Sequence, residues 1–202
     1  MSLRARPYLS YSQLVTVENG AKQYIEKYVY GWEQRVSRAM AYGSKFADSL
    51  EKGEDTGDVA LDIMTAQLPK FEMADVPFMT EIPGDKKNET VPVLIKMDSW
   101  KKDLSAFKEY KTGTTKWTQK KVDDSGQITF YAMGAYLKTG KIPQDIELIH
   151  LPTEYDVYGM PHLTGEMHRF PTKRSLVQIL RMMVKARKAW NTIGKILEEE
   201  VI

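Results

Sequence analysis

The sequence predicts a mixed α/β fold in a single domain that spans residues 1–202. Two observations on periodicity lead to this prediction: helical spacing of apolar residues fills the N-terminal third and the C-terminal end, and strand-like segments fill the middle. The third is composition, because 202 residues with 42% hydrophobic and 28% charged residues match one compact domain with its own core.

Helices are expected in the first part of the chain. Residues 9–31 carry apolar side chains at helical spacing and predict a helix pair or one broken helix, with Ser12 as the N-cap and Gly31 as a stop. Further helices are expected over about 36–51 and 59–68, on either side of the polar breaker KGEDTG.

Strands are expected next. Residues 71–82 have strand composition, and Pro77 within them suits an edge or a bulge. The segment PGDKKNET predicts a turn. Residues 91–100 and 104–111 predict a β-hairpin.

The C-terminal part alternates between the two types. Ser125 is placed to cap a helix over about 126–138, and strands are expected at about 145–151 and 163–170. A long helix over about 172–199 follows. The apolar stripe by which it would pack on the sheet is Leu176, Ile179, Leu180, Met183, Trp190, Ile193 and Leu197. Its other face, more typical of a solvated surface than of a nucleic-acid surface, carries Lys173, Arg174, Arg181, Lys185, Arg187 and Lys188.

Composition excludes several kinds of site. With no cysteine, the chain has no disulfide, no thiolate zinc site, no cysteine nucleophile and no cysteine-ligated iron–sulfur cluster. His150, His162 and His168 lie on different predicted elements without zinc-site spacing, so structural or surface roles are expected for them. No apolar run approaches the length that crosses a bilayer, and no signal segment is visible, so we expect a cytoplasmic protein without membrane contact.

Positive charge is concentrated in one stretch. Residues 101–121 contain seven lysines and two acids, whereas the whole chain has a net charge of only +2. Trp117 lies between Lys116 and Lys120, which combines phosphate contacts with a stacking face. A solvated lysine-rich loop is the plainer interpretation of such a run.

Two acids and a lysine in the predicted hairpin indicate a metal centre. Glu109 and Lys111 are two residues apart and therefore share one face of a strand, while Asp98 falls near the level of Glu109 on the partner strand. Close carboxylates repel unless a cation lies between them, and oxygen ligands suit Mg²⁺ or Mn²⁺. A surface hairpin with weak exposed ion pairs is the alternative.

A polar pair on the next helix supports the metal centre. Gln127 and Tyr131 are four residues apart, so both project from one face of a helix that begins directly after the basic loop. Tyr131 alone would be interpreted as an ordinary core aromatic. The order of acid, acid-x-lysine, basic loop and polar pair argues for a shared site.

In combination, these residues resemble the PD-(D/E)XK nuclease superfamily, and within it the RecB-like branch that includes phage and recombination exonucleases. The matching motifs are IKMD with Asp98, EYKTG with Glu109 and Lys111, and QITFY with Gln127 and Tyr131. Upstream, LSYSQLVTVENGAKQYIEKYVYG is similar to the N-terminal helical segment of the branch, and YGSKFADSLE is similar to its GxxxHxxLE motif.

The resemblance implies a restriction-endonuclease-like fold: a central mixed β-sheet flanked by helices, with a helical N-terminal segment and a long C-terminal helix. It implies that Asp98 and Glu109 bind Mg²⁺ or Mn²⁺, that the backbone carbonyl of Tyr110 also reaches the metal, and that Lys111 assists the attacking water. An iron–sulfur cluster is excluded by the absence of cysteine. The residues expected at the DNA are Lys116, Trp117, Lys120, Lys121, Gln127 and Tyr131.

One departure concerns the first shared motif. Ala47 stands where the branch often has a metal-binding histidine. Glu51 lies one helical turn later on the same face and is a candidate replacement ligand, directly or through water. An exposed helix carboxylate is the equal alternative for Glu51.

The function implied is a Mg²⁺- or Mn²⁺-dependent deoxyribonuclease, expected to be an exonuclease, in DNA recombination, DNA repair or phage DNA processing. The alternatives are a catalytically inactive DNA-binding relative, in which Ala47 marks decay of the metal site, and a structural or partner-binding α/β domain. Association into a homo-oligomer, or with a recombination partner protein, is compatible with this function.

Overall fold

The structure, a computed structural model, describes residues 6–32, 35–53, 55–84 and 89–200. The helices are α1 (Tyr11–Asn19), α2 (Ala21–Tyr24, continued by a π-helical turn over Ile25–Val29), α3 (Arg38–Lys52), α4 (Val59–Gln67), α5 (Gln119–Asp123), α6 (Gly126–Thr139) and α7 (Leu176–Glu200). The strands are β1 (Met73–Ala74), β2 (Phe78–Pro83), β3 (Thr90–Ile95), β4 (Ser99–Trp100), β5 (Ala106–Gly113), β6 (Asp145–Tyr155), β7 (Pro161–Leu163) and β8 (His168–Thr172).

A mixed β-sheet with the order β1-β4-β5-β6-β7 forms the centre, and β8 also pairs with β6. The β5–β6 pair is parallel, and the other pairs in the sheet are antiparallel. Strands β2 and β3 form a separate antiparallel hairpin. Strands β5 and β6 are parallel and are joined by a crossover that contains α6. Their carboxyl ends therefore lie at the same edge of the sheet.

Helices cover both faces of this sheet. The larger hydrophobic cluster joins the sheet to α6, α7, α1 and the β2–β3 hairpin, with Phe107, Phe130 and Ile193 fully buried. The smaller cluster, on the opposite face, includes Phe46 of α3 and Tyr110 of β5. The predicted fold class is therefore confirmed: a central mixed sheet flanked by helices, with a helical N-terminal segment and a long C-terminal helix.

Two predicted strands are interrupted. Residues 71–82 form β1 and β2, which are separated at Asp75, where φ is 50°, and at Pro77. Residues 91–100 form β3 and β4, and β3 pairs with β2 instead of β5. The predicted hairpin is therefore reduced to the two residues of β4 against β5.

Other boundaries also differ from the prediction. Residues 163–170 are not one strand, because a turn with Gly165 at φ 85° separates β7 from β8. The N-cap of α1 is Ser10, whose hydroxyl accepts from the backbone N–H of Gln13, and not Ser12. Helix α5 lies where only a loop was expected. The turn predicted for PGDKKNET includes residues 85–88, which lie outside the described residues.

The faces of α7 were assigned wrongly at three positions. Leu176 and Leu180 were expected in the packed stripe, but both are exposed. Relative to the buried Ile179, their side chains are rotated about the helix axis by about 60° and about 100°. Arg174, expected on the solvated basic face just before α7, is 5% exposed. No helix among the described residues is both long and apolar enough to cross a membrane.

Candidate active site

The predicted catalytic side chains surround one cavity between α3, α6 and the edge of β5. Asp98, Glu109, Lys111 and Gln127 line this cavity of about 280 Å³, together with Glu51. Tyr131 lines an adjoining groove that shares several of the same residues. The structure thus brings together side chains that are separated by as many as 80 positions in the sequence.

Asp98 reaches the site because β4 is short. The register of β4 with β5 stops at the pair of Ser99 with Lys108, so the next part of the β5 edge has no strand partner there. The side chain of Asp98 fills this place: its Oδ2 accepts a hydrogen bond of 2.7 Å from the backbone N–H of Tyr110. Burial, followed by the charge of Glu109, raises the pKa of Asp98 well above its usual range.

Glu109 and Lys111 project from the same face of β5, as strand alternation predicts. Lys111 Nζ lies 2.5 Å from Glu109 Oε1. Burial by itself would lower the pKa of Lys111, but Glu109 and Asp98 together raise it, so the ammonium form is stabilised. Glu109 is 1% exposed, and its second oxygen, Oε2, has no hydrogen-bond partner among the described residues.

The polar pair on α6 is formed as predicted. Ser125 caps the helix by accepting from the backbone N–H of Ile128, and Gln127 Nε2 donates to the Tyr131 hydroxyl at 2.8 Å. The Tyr131 ring packs edge-on against Phe107, with ring centroids 6.2 Å apart. Burial is the main cause that raises the pKa of Tyr131, so the phenol stays protonated.

Tyr110 contributes to the site through its backbone. Its side chain points to the opposite face of β5, where the hydroxyl donates to the carbonyl of Pro69 at 2.7 Å. Its N–H is directed to Asp98, and in an extended strand the carbonyl of the same residue faces the same edge. The role of this carbonyl as a metal ligand stays a prediction.

Glu51 lines the cavity from α3, one turn after Ala47. Its carboxylate is exposed, and a hydrogen bond with Asp75 is the main cause that raises the pKa of Glu51. Among the described residues, no three His, Asp or Glu side chains are grouped closely enough to form a ready-made metal site. The role of Glu51 as a replacement ligand stays a prediction.

Asp75 is a cavity residue that the sequence analysis missed. It lies in the break between β1 and β2, its N–H donates to the carbonyl of Asp98 at 3.0 Å, and its Oδ2 lies 2.6 Å from Lys96 Nζ. Its φ of 50° belongs to the left-handed region, which aspartate tolerates better than most residues. The only signal in the sequence was an acid two residues before the strand-breaking Pro77.

The basic stretch does not form one surface. Lys116, Lys120 and Lys121 are exposed beside the half-buried Trp117, and Lys121 Nζ lies 4.2 Å from the Trp117 ring centroid. These four residues, which we call the Trp117 cluster, line neither the cavity nor the adjoining groove.

The other lysines of the stretch lie elsewhere. Lys101 and Lys102 lie on the β4–β5 turn, and Lys108 is buried on the far face of the sheet, 2.7 Å from Glu147. These three lysines are therefore separate from the Trp117 cluster. Strand alternation sends Lys108 and Lys111 to opposite faces, and a count of charges along the chain does not contain that information.

The histidines have different surroundings. His150 is buried and its Nε2 lies 3.1 Å from the carbonyl of Gly113, while the half-buried His162 and the exposed His168 pair with Glu154 and Glu166.

Comparisons with solved structures find proteins of similar fold. A protein from Eubacterium rectale that carries the name putative exonuclease aligns with a TM-score of 0.59 over 97% of this chain and 83% of that chain, at 14% sequence identity. The structure of SSO0001 aligns with a TM-score of 0.47 and 13% identity over 93% of this chain and 76% of that chain, which is too distant to support an argument. No protein-family model matches the chain. No curated protein sequence matches it significantly.

Proposed function

We propose that this chain is a Mg²⁺- or Mn²⁺-dependent deoxyribonuclease of the PD-(D/E)XK superfamily, acting as an exonuclease in DNA recombination, repair or phage DNA processing. The observation that carries the proposal is the convergence of Asp98, Glu109 and Lys111 on one cavity, with an unpartnered buried oxygen on Glu109. The name of the Eubacterium rectale protein with the similar fold agrees with this proposal.

The donor set fits a hard divalent cation. Asp98 and Glu109 offer carboxylate oxygens, and Glu109 Oε2 is buried without a hydrogen-bond partner among the described residues. A buried carboxylate oxygen without a partner is costly, and a cation would offset that cost. Mg²⁺ characteristically takes one or two protein carboxylates and keeps several waters, so Asp98 and Glu109 are a sufficient set of protein ligands for the proposed ion.

A bound divalent cation would supply electrostatic stabilisation of the scissile phosphate and a water of lowered pKa. Asp98 and Glu109 would hold it, with Asp98 kept in place by the Tyr110 N–H. Lys111, fixed by its ion pair with Glu109, places an ammonium group where negative charge develops. The ion pair with Glu109 favours the ammonium form of Lys111, so we assign Lys111 an orienting and charge-stabilising role.

The DNA strand would enter from the groove side. Gln127 borders both the cavity and the groove, and Tyr131 borders the groove; the amide and the hydroxyl can donate to phosphate oxygens. The Trp117 cluster offers three exposed ammonium groups and a ring face at the start of the crossover, which suits contact with the DNA backbone away from the reacting phosphate.

The experiment that tests this function uses end-labelled linear duplex, circular duplex and single-stranded DNA, each with Mn²⁺ and with chelator. We expect loss of linear DNA only with metal, and a decrease in rate of about 10²–10³-fold in Lys111→Ala. Lys102→Ala, at the β4–β5 turn, is the matched control and should leave the rate unchanged. Metal-independent degradation, or full activity in Lys111→Ala, would reject the proposed centre.

A second candidate is a DNA-binding relative that has lost catalysis. The observation in its favour is Ala47, whose methyl group lines the cavity where the resembled motif has a histidine. Salt-sensitive DNA binding without cleavage of any of the three substrates would favour this candidate.

A further inference from the structure

Two similar groups of charges line the cavity and its adjoining groove. The first consists of the carboxylates of Asp98 and Glu109 with the ammonium group of Lys111, whose Nζ lies 2.5 Å from Glu109. This is the group to which the proposed function assigns the metal. It contains two acids and one lysine, so its formal charge is −1.

The second group was not expected from the sequence. Its close contact is the ion pair of Lys96 with Asp75, in which Nζ lies 2.6 Å from Oδ2. Glu51 and Asp75 line the same cavity, and Lys96 lines the adjoining groove that opens into it. This group again contains two acids and one lysine, with a formal charge of −1.

The backbone joins the two groups rigidly. The N–H of Asp75 donates to the carbonyl of Asp98, and Lys96 precedes Asp98 by two residues in the segment between β3 and β4. The Asp75 side chain is only 17% exposed. The Lys96 side chain is 56% exposed, so the pair is held in place from the Asp75 side. The Lys96–Asp75 pair is therefore built into the site.

The formal charges of the two groups suit one divalent cation. Within these groups, four carboxylates and two ammonium groups add to −2, the charge that one divalent cation neutralises. We propose that Lys96 is a tethered cation that occupies the position of a second metal ion at Glu51 and Asp75, so that the site binds a single divalent cation. The inference rests on the proposed function, since it assumes that Asp98 and Glu109 bind the first cation.

Two features distinguish this arrangement from a fortuitous ion pair. The nearest acid to Lys96 is not a free surface group but one whose backbone is bonded to Asp98. The unpartnered oxygen belongs to Glu109 and not to Asp75, so among the described residues the buried demand for a cation lies in the first group only. If Lys96 loses its charge, Glu51 and Asp75 become a carboxylate pair without a counter-ion, which is the arrangement that recruits a divalent cation.

The test counts Mn²⁺ ions bound per chain, by equilibrium dialysis with metal analysis and by the electron paramagnetic resonance signal of free Mn²⁺. We expect one ion in the wild-type protein, two in Lys96→Met, and one again in the double variant Lys96→Met/Asp75→Asn. Magnetic coupling between two neighbouring Mn²⁺ ions should appear in Lys96→Met alone. Lys96→Arg keeps the charge and should bind one ion. Lys22→Met is the matched surface control and should also bind one.

The outcomes separate this inference from the proposed function. One ion in both the wild-type protein and Lys96→Met, or two in the wild-type protein, would overturn the role of Lys96 while leaving the metal-dependent nuclease intact. Absence of Mn²⁺ binding in the wild-type protein would remove the proposed function and this inference together. Lys96→Gln is a second neutral variant with the same expected count, in case Lys96→Met does not fold.

Discussion

The replacement Asp98→Asn should stabilise the metal-free protein while it abolishes activity. In the structure the Asp98 carboxylate lies beside the Glu109 carboxylate, and its pKa is raised by burial and by that neighbour, so its ionised form opposes folding. The introduced amide can keep accepting the Tyr110 N–H through its oxygen. The introduced amide carries no charge, so the repulsion between the Asp98 and Glu109 carboxylates is removed.

The expected gain in the free energy of unfolding is about 0.5–2 kcal/mol, in the range of other substitutions that remove a local conflict at a functional site. For a chain of this length, each kcal/mol raises Tm by about 2–4 °C. Saturating metal makes the wild-type protein the more stable of the two, because a ligand at 100 times its Kd adds about 2.7 kcal/mol to the free energy of unfolding of the protein that binds it. The variant has lost one of the two proposed metal ligands, so its free energy of unfolding should increase much less when metal is added.

The assay is thermal unfolding of both proteins, once with chelator and once with Mn²⁺. We expect the variant to melt at the higher temperature with chelator and the wild-type protein to melt at the higher temperature with Mn²⁺. Asp145→Asn, at an exposed position at the start of β6, is the control, and it should melt at the temperature of the wild-type protein both with chelator and with Mn²⁺. A variant that is less stable than the wild-type protein in chelator would refute the reasoning about the carboxylate pair.

Three further predictions concern other parts of the molecule. Glu147→Ala leaves the buried Lys108 ammonium without its 2.7 Å partner, so urea unfolding should show a loss of about 3–5 kcal/mol; a loss below 1 kcal/mol would contradict this. Because the folded-state pKa of Asp98 is raised, the metal-free protein binds more protons when folded, and its stability should fall as pH rises from the ordinary aspartate pKa through the raised value. That part of the pH profile should be missing in Asp98→Asn. Lys120→Ala should weaken DNA binding and reduce the slope of log K against log salt by about 1; an unchanged slope would remove Lys120 from the interface.

The site residues that the sequence analysis identified are those whose spacing carries information. Glu109 and Lys111 share a strand face because they are two residues apart, and Gln127 and Tyr131 share a helix face because they are four apart. Ser125 has the side chain that an N-cap requires, and the helix begins directly after it. Such patterns depend only on residues that are close in the sequence, so they can be recognised without knowledge of the tertiary structure.

The features that the sequence did not reveal depend on long-range pairing. Asp75 joins the site only because the break between β1 and β2 lies against Asp98. The residues next to Asp75 in the sequence do not predict that contact. The pairing of β3 with β2 could likewise not be predicted from the sequence, because the apolar residues of a strand do not specify which strand it pairs with. Lys108 was counted with the basic loop because the burial of an ion pair with Glu147, 39 residues away, has no local signal.

The central claim is that Asp98 and Glu109 hold the cation on which DNA cleavage depends. The most direct test measures Mn²⁺-dependent release of nucleotides from end-labelled linear duplex by the wild-type protein and by Glu109→Gln, with thermal unfolding to show that both are folded. We predict nucleotide release by the wild-type protein only when Mn²⁺ is present, and none by folded Glu109→Gln. Equal release by the two proteins, or release that persists in chelator, would contradict the account.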